Sequence, residues 1–302
     1  MKIKAFFLIS TISFLIFSCG SSKKIQVISP PKIVDTISTK INDTTVNKVT
    51  RDTVTIEIDH SKTDSFLVNL LKEYPQYFDS VLKNKKEWNV QIIYTQINRD
   101  KNNSPSFKDY YFNVDSTKYF YPASTVKLPI ALLALQKLNE LNQTGITKNT
   151  TIITEADYSG QTATYNDPQT EDGKPTIESY IKRIFLVSDN EACNRLYEFL
   201  GQQYINEQLH NKGYRDAQIL HRLDIPLSED ENRHTNPVNF LDNNDNVIYS
   251  QPLMYNTDFY TERRDSLGQA HYANGELINT PMSFSKKNRI SLEDLHHILR
   301  SV

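Results

Sequence analysis

Ser124 and Lys127 stand three residues apart at the head of a long apolar run, Tyr121-Pro-Ala-Ser-Thr-Val-Lys-Leu-Pro-Ile-Ala-Leu-Leu-Ala-Leu-Gln-Lys-Leu138. On a helix, positions i and i+3 share one face, so this hydroxyl and this amine can meet. Burial strips water from the charged amine, and the positive end of a helix acts in the same direction. A neutral amine can then take the serine proton, which makes the pair a workable nucleophile and base. The spacing alone is a weak signal, because Ser-x-x-Lys also starts at Ser21, Ser29, Ser80, Ser179 and Ser283. A serine helix cap followed by a solvated lysine is the plain alternative. Only Ser124 leads directly into a long apolar helix, a context expected to bury the pair.

A second constellation follows 64 residues later, in Val187-Ser-Asp-Asn-Glu-Ala-Cys-Asn194. Ser188 and Glu191 have the spacing of a helix capping box, which would explain the serine without any chemistry. The order Ser-Asp-Asn also fits a chemical task. A serine hydroxyl there can relay a proton to a leaving amine, and an asparagine amide can hold the amide of a substrate.

With both motifs, the chain resembles the class A serine β-lactamases and related penicillin-recognising serine hydrolases. The resemblance rests on Ser124-Thr-Val-Lys127, Ser188-Asp-Asn190 and their flanks, Ala123, Leu128-Pro129, Glu191-Ala192 and Asn194. His221-Arg-Leu-Asp224 resembles the start of that family's omega loop, and Glu231-Asn-Arg-His-Thr-Asn-Pro237 its end. The likeness runs from about residue 88 onward. It implies an α/β fold (an α+β sandwich), with a mostly helical domain packed on an antiparallel sheet. It implies Ser124 as the acylated nucleophile and Lys127 as the base or part of the proton relay. Ser188 would carry the proton to the leaving nitrogen, and Asn190 would bind the substrate amide. The backbone N–H of Ser124 would form half of an oxyanion hole, while Asp189 would hold local structure. No cofactor or metal is implied. The substrate would be a small molecule, a β-lactam or a peptidoglycan-like peptide, met by a monomer.

Two departures from the family pattern matter. The family's omega loop carries a glutamate, in an E-x-x-L-N run, that activates the deacylating water. Here Ile225-Pro-Leu-Ser-Glu-Asp230 takes its place, and an ungapped count from Asp224 sets Leu227 at the glutamate position. Glu229 is the first candidate to substitute as deacylation base, and Glu231 the other. Without such a base the acyl-enzyme would turn over slowly, as in a penicillin-binding protein. The family also needs a Lys-Thr/Ser-Gly strand as the far wall of the cleft. After Lys212 the glycines are Gly213, Gly268 and Gly275, none of them following Lys-Thr or Lys-Ser. The expectation is a truncated product, with the C-terminal strands absent from this chain.

The elements that must position these residues follow from periodicity. Phe66, Leu67, Leu70 and Leu71 have helical spacing, and Tyr74–Leu82 continues after Pro75. Trp88–Ile97 reads as a strand by its β-branched content, Arg99–Ser106 as a turn, and Tyr110–Val114 as the returning strand. The Ser124 helix should end near Asn142. Thr151–Lys174 reads as loop, and Thr176–Leu186, Asp189–Leu200 and Tyr204–Asn211 as helices. Residues 225–290 show little periodicity, and residues 238–283 read as an insertion. Ser291 and Asp294 cap a final helix, Leu292–Leu299.

At the other end, Lys2 and Lys4 precede the apolar stretch Ala5–Phe17, too short to span a bilayer comfortably. Residues 1–18 read as a secretory signal. Ile16-Phe17-Ser18-Cys19-Gly20 resembles a bacterial lipobox, so Cys19 is expected to carry lipid and hold the protein to a membrane in the cell envelope. Residues 19–62 read as a polar, Thr-rich tether, within which Thr53–Ile58 alternates like a strand, and residues 63–302 as the hydrolase domain. Cys193 is then the remaining cysteine, which excludes an intramolecular disulfide and suits a core residue. The seven histidines are scattered, and a net charge of −2 gives no reason to expect nucleic acid. Three functions stay open: a lactam-opening serine hydrolase, a penicillin-binding D,D-peptidase on the same frame, and a non-catalytic binding lipoprotein.

Overall fold

The computed structural model describes residues 59–302, apart from 143, 261, 262 and 274. The signal segment, Cys19, most of the tether and the Thr53–Ile58 alternation lie outside the described residues.

The first layer is a helical pair on a hairpin. Helix α1 (Ser65–Lys72) is followed by α2 (Pro75–Lys83), which Pro75 opens from a position where a missing N–H does no harm. Strands β1 (Ile92–Arg99) and β2 (Pro105–Phe112) pair antiparallel from Ile92↔Phe112 to Arg99↔Pro105. Leu67 and Leu71 of α1 close on Phe112 of β2. The first strand starts four residues later than its composition suggests. Residues 85–89 instead form a turn, and Asn89 takes the left-handed conformation at φ 49°.

The second layer carries the main core. A 3₁₀ turn, Ala123–Val126, runs into α3 (Lys127–Leu141), which ends at Asn142 with φ 42°. Strand β3 (Thr151–Thr154) lies where the sequence reads as loop. Helix α4 (Ile177–Val187) begins with a reciprocal capping box between Thr176 and Ser179. Helix α5 (Asn190–Leu200) is the hub, because every residue from Ala192 to Leu200 is buried. A helix buried all round must be wrapped by others. Here α3, α4 and α6 (Gln202–Asn211) pack against it around Ala134, Tyr180, Leu196 and Phe199. Gly201, at φ 82°, turns the corner from α5 to α6, where an added Cβ would sit 2.7 Å from Cε of Met254.

After α6 the chain makes α7 (Glu229–Arg233), β4 (His234–Thr235), β5 (Val238–Leu241), β6 (Val247–Gln251) and β7 (Met254–Tyr255). Strand β5 runs between β3 and β6 in a three-stranded antiparallel sheet, with Thr151↔Leu241 and Thr154↔Val238 in register. Val238 and Phe240 are fully buried, so the start of the aperiodic 238–283 segment belongs to the core. The segment then leaves it. Strands β8 (Ser266–Leu267), β9 (His271–Ala273), β10 (Glu276–Ile278) and β11 (Met282–Ser283) form a narrow two-stranded arm, with Leu267, Tyr272, Leu277 and Ile278 exposed. Helix α8 (Leu292–Arg300) closes the described chain, with Ser291 Oγ accepting from Asp294 N. The result is a mixed α/β fold in which every strand pair among the described residues is antiparallel.

Candidate active site

The turn before α3 presents Ser124. Thr125 donates from both its backbone N and its Oγ1 to Pro122 O, at 2.9 and 2.7 Å. Ala123 sits at φ 46°, a conformation that an alanine adopts only under constraint. Ser124 therefore rides on a tight, strained turn and stays exposed. Lys127, one helical turn on, is only 3% exposed. The expected burial of the pair thus applies to the lysine alone. Its stem passes into the contact between α3 and α5, while the serine is left at the rim.

The corner between α4 and α5 brings the second motif. Ser188 ends α4 in the left-handed conformation, φ 54°, with its N–H on Ile184 O at 3.1 Å. The N-cap of α5 is Asp189, whose side chain accepts from Ala192 N at 3.0 Å and pairs with Arg183 Nε at 3.4 Å. The Ser188–Glu191 capping box is therefore not formed. Glu191 turns instead to Arg195, whose Nε lies 2.7 Å away. Asp189 takes the cap because it follows the αL residue that reverses the chain, and this releases the Ser188 hydroxyl.

These two corners meet. Lys127 Nζ lies 2.5 Å from Ser188 O, 3.0 Å from Ser188 Oγ and 2.6 Å from Asn190 Oδ1. Ser188 Oγ lies 3.2 Å from Ser124 Oγ. The four residues singled out in the sequence, Ser124, Lys127, Ser188 and Asn190, are thus gathered into one chain of contacts. The amine reaches Ser124 through the Ser188 hydroxyl. Of its three neighbours, two are carbonyl oxygens that only accept, while a hydroxyl can donate or accept. A neutral amine can give its two N–H bonds to the carbonyls and take a proton from Ser188 Oγ–H, which in turn receives from Ser124. A charged amine reverses both bonds. The arrangement suits either direction of proton transfer without moving a heavy atom. Asn190 has its oxygen on Lys127, which leaves its Nδ2–H bonds for another partner. Phe185, Leu186 and Val187 precede Ser188 and are 57%, 80% and 71% exposed, so the rim beside the two hydroxyls is apolar.

The omega-like segment is fixed to the same hub. Asn194 of α5 makes two bonds to Leu223, from its Nδ2 to Leu223 O and from Leu223 N to its Oδ1. Arg222 Nε lies 3.0 Å from Glu198 Oε1, and Glu198 also holds Arg195 at 2.8 Å. The Arg222 guanidinium continues to His234 O and Asn236 Oδ1, which ties the start of the segment to its end. A carboxylate as buried as Glu198 requires such cations. The motif reading missed Glu198 and Arg195. Their signal was two opposite charges inside a helix that is otherwise buried.

Glu229, the residue carried forward as a possible deacylation base, lies away from this chain of contacts. It opens α7 and pairs with Lys286 Nζ at 2.5 Å and Arg233 Nη2 at 3.4 Å, and the bond from Lys286 holds its carboxyl below the usual range. None of its contacts reaches Ser124, Lys127 or Ser188. Glu231 closes a capping box with Ser228 and accepts from Ser159 Oγ. Leu227 lies against Gly160, where an added Cβ would be 2.6 Å from its Cδ2. His221 is held below the usual imidazole range by burial, with Lys287 adding to the effect. Its Nδ1 bonds Arg222 O at 2.7 Å and its Nε2 accepts from Asn288 N at 3.2 Å, so both nitrogens are engaged in structural hydrogen bonds rather than aimed at Ser124. Cys193 is buried, and that burial pushes its thiol up to about 12, which makes it unreactive. Among the described residues no group of three or more His, Cys, Asp or Glu could hold a metal.

The family model described as the Beta-lactamase enzyme family matches residues 75–301, and the chain belongs to that family. Among solved structures, an ancestral class A β-lactamase (GNCA) is similar at 18% identity and a TM-score of 0.30, over 52% of this chain. The match takes in 54% of that structure's own chain, about half its length. No curated protein matched.

Proposed function

We propose that this chain is a serine hydrolase that opens a β-lactam, or a related cell-wall amide, through an acyl-Ser124 intermediate. The observation that carries the reading is the contact chain Ser124 Oγ–Ser188 Oγ–Lys127 Nζ, at 3.2 and 3.0 Å. Ser124 Oγ attacks the amide carbonyl carbon as its proton passes to Ser188, and the Ser188 proton passes to Lys127. The Ser124 backbone N–H takes the developing oxyanion. The C–N bond then breaks as Ser188 gives its proton to the leaving nitrogen, and Lys127 restores the Ser188 proton. The Asn190 Nδ2–H groups donate to the carbonyl of a substrate side-chain amide.

The pairing of Glu229 with Lys286 and Arg233 favours a second reading, a penicillin-binding D,D-peptidase-like protein with slow deacylation. Intact-protein mass spectrometry after incubation with a penicillin tests both. An adduct on Ser124 is expected in the parent chain and in Ser80→Ala, and none in Ser124→Ala. A lifetime of hours would favour the peptidase-like reading, and rapid release the lactamase. No adduct on folded parent protein would sink both and leave the non-catalytic binding lipoprotein. We place the protein in the cell envelope, anchored by lipid on Cys19, on the strength of the signal and lipobox residues.

A further inference from the structure

A cavity of about 260 Å³ lies under the omega-like segment. Its wall includes three cations, Arg233, Lys286 and Lys287, against one carboxylate, Glu229. Glu229 already serves two of the three, Lys286 at 2.5 Å and Arg233 at 3.4 Å. Lys287 is half-buried, and its ammonium makes no hydrogen bond or ion pair among the described residues. Its charge acts on His221, which also lines the cavity and whose ring stacks on Tyr121 at 6.4 Å. The rest of the wall includes Ile225, Pro226 and Leu227.

A half-buried lysine whose ammonium has no counter-charge, in a wall with two more cations, favours an anion over a neutral guest. Lys286 and Arg233 already donate to one carboxylate, Glu229, and the apolar part of the wall suits a short alkyl group. We propose that the cavity binds a small carboxylate, held by Lys287 with Lys286 alongside, while Arg233 stays bonded to Asn256 O, Asp258 O and Glu229. The site rests on no property of Ser124.

Propionate is the probe. It is titrated into the full chain at constant pH and ionic strength, and the His221 ring signals are followed by NMR, assigned through His221→Gln. A saturable shift is expected, with none from propionamide, which has the same shape and no charge. Bound propionate offsets the Lys287 charge, so His221 titrates at higher pH in its presence. Lys287→Gln weakens the response at least tenfold, Lys287→Arg keeps it, and Lys212→Gln, on a separate surface, leaves it unchanged. Circular dichroism shows that each variant is folded. An equal response to propionamide, a full response in Lys287→Gln, or no saturation with propionate in the parent chain overturns the site.

Discussion

Helix α3 sends two lysines, ten residues apart, to opposite ends of α5, Lys127 buried and Lys137 half-buried. Lys127 meets the first turn, at Ser188 and Asn190. Lys137 meets the last turn, at Phe199 O (2.6 Å), Leu200 O (3.1 Å) and Gln251 Oε1 (2.7 Å), over the rings of Phe199 and Tyr204. Both amines have three oxygen neighbours. The difference is what those oxygens can do. All three around Lys137 only accept, so the amine is a structural clamp on the carbonyl end of a helix. One of the three around Lys127 is a hydroxyl, and that hydroxyl touches a second one. Burial alone therefore does not make a lysine a base. Burial pushes Lys137 down to about 8, yet none of the three oxygens it bonds carries a proton to exchange.

The sharpest way to break this contrast is to remove one atom. Ser188→Ala interrupts the contact chain and should slow acylation by penicillin roughly 10²–10⁴-fold, the usual worth of a positioned proton carrier. Lys137→Met should leave that rate within about threefold, because no proton passes through it. Stopped-flow or quenched mass labelling reads both. Equal losses in the two variants would show that the lysines act through packing alone.

The next effect belongs to pH. The folded Lys137 amine loses its proton near 8, below its ordinary 10.5. Between those values the unfolded chain binds more protons than the folded one, so stability rises with pH across the window. The penalty for burying the charge is present in full below 8. A shift of this size is worth about 3 kcal/mol. Urea unfolding of the parent chain at pH 7.5 and 10.5 should show a gain of that order relative to Lys137→Met, in which this contribution is gone. A parallel pair of pH profiles would exclude Lys137 as the source.

The smallest effect tests the cap at the Lys127 end. Asp189→Ala removes the bond to Ala192 N and the pair with Arg183, and should lower stability by about 1 kcal/mol, or about 2–4 °C in melting temperature. Acylation should stay within about threefold, since no contact of Asp189 reaches Ser124 Oγ or Lys127 Nζ. A loss of labelling comparable to that of Ser188→Ala would move Asp189 into the proton path.

How much of this was legible depended on how local the cause was. The helices around Leu67, Ile184, Leu196 and Ile298 follow from spacing within each segment. The gathering of Ser124, Lys127, Ser188 and Asn190 was legible because two short motifs carry it. Strand β3 was not, since its partner β5 lies some 85 residues downstream and four residues give no period to read. Ser188 was legible as a residue but not as a joint. The sequence favoured a cap at Ser188, and the cap moved to Asp189 because the reversal between α4 and α5 needed a left-handed residue first. The fate of Glu229 was illegible for a different reason, because its partner Lys286 comes from the far side of the 265–284 arm.

That left-handed joint sets two pressures against each other at a single codon. Holding a serine at φ 54° disfavours the fold by about 1 kcal/mol against glycine, which adopts this conformation freely. Selection for stability alone would put glycine at 188, and the corner would fold better for it. Glycine has no hydroxyl, so the more durable protein would be one in which Lys127 no longer reaches Ser124. Directed evolution toward heat resistance, run without an activity screen, would meet this trade at Ser188 before it met it at Ser124.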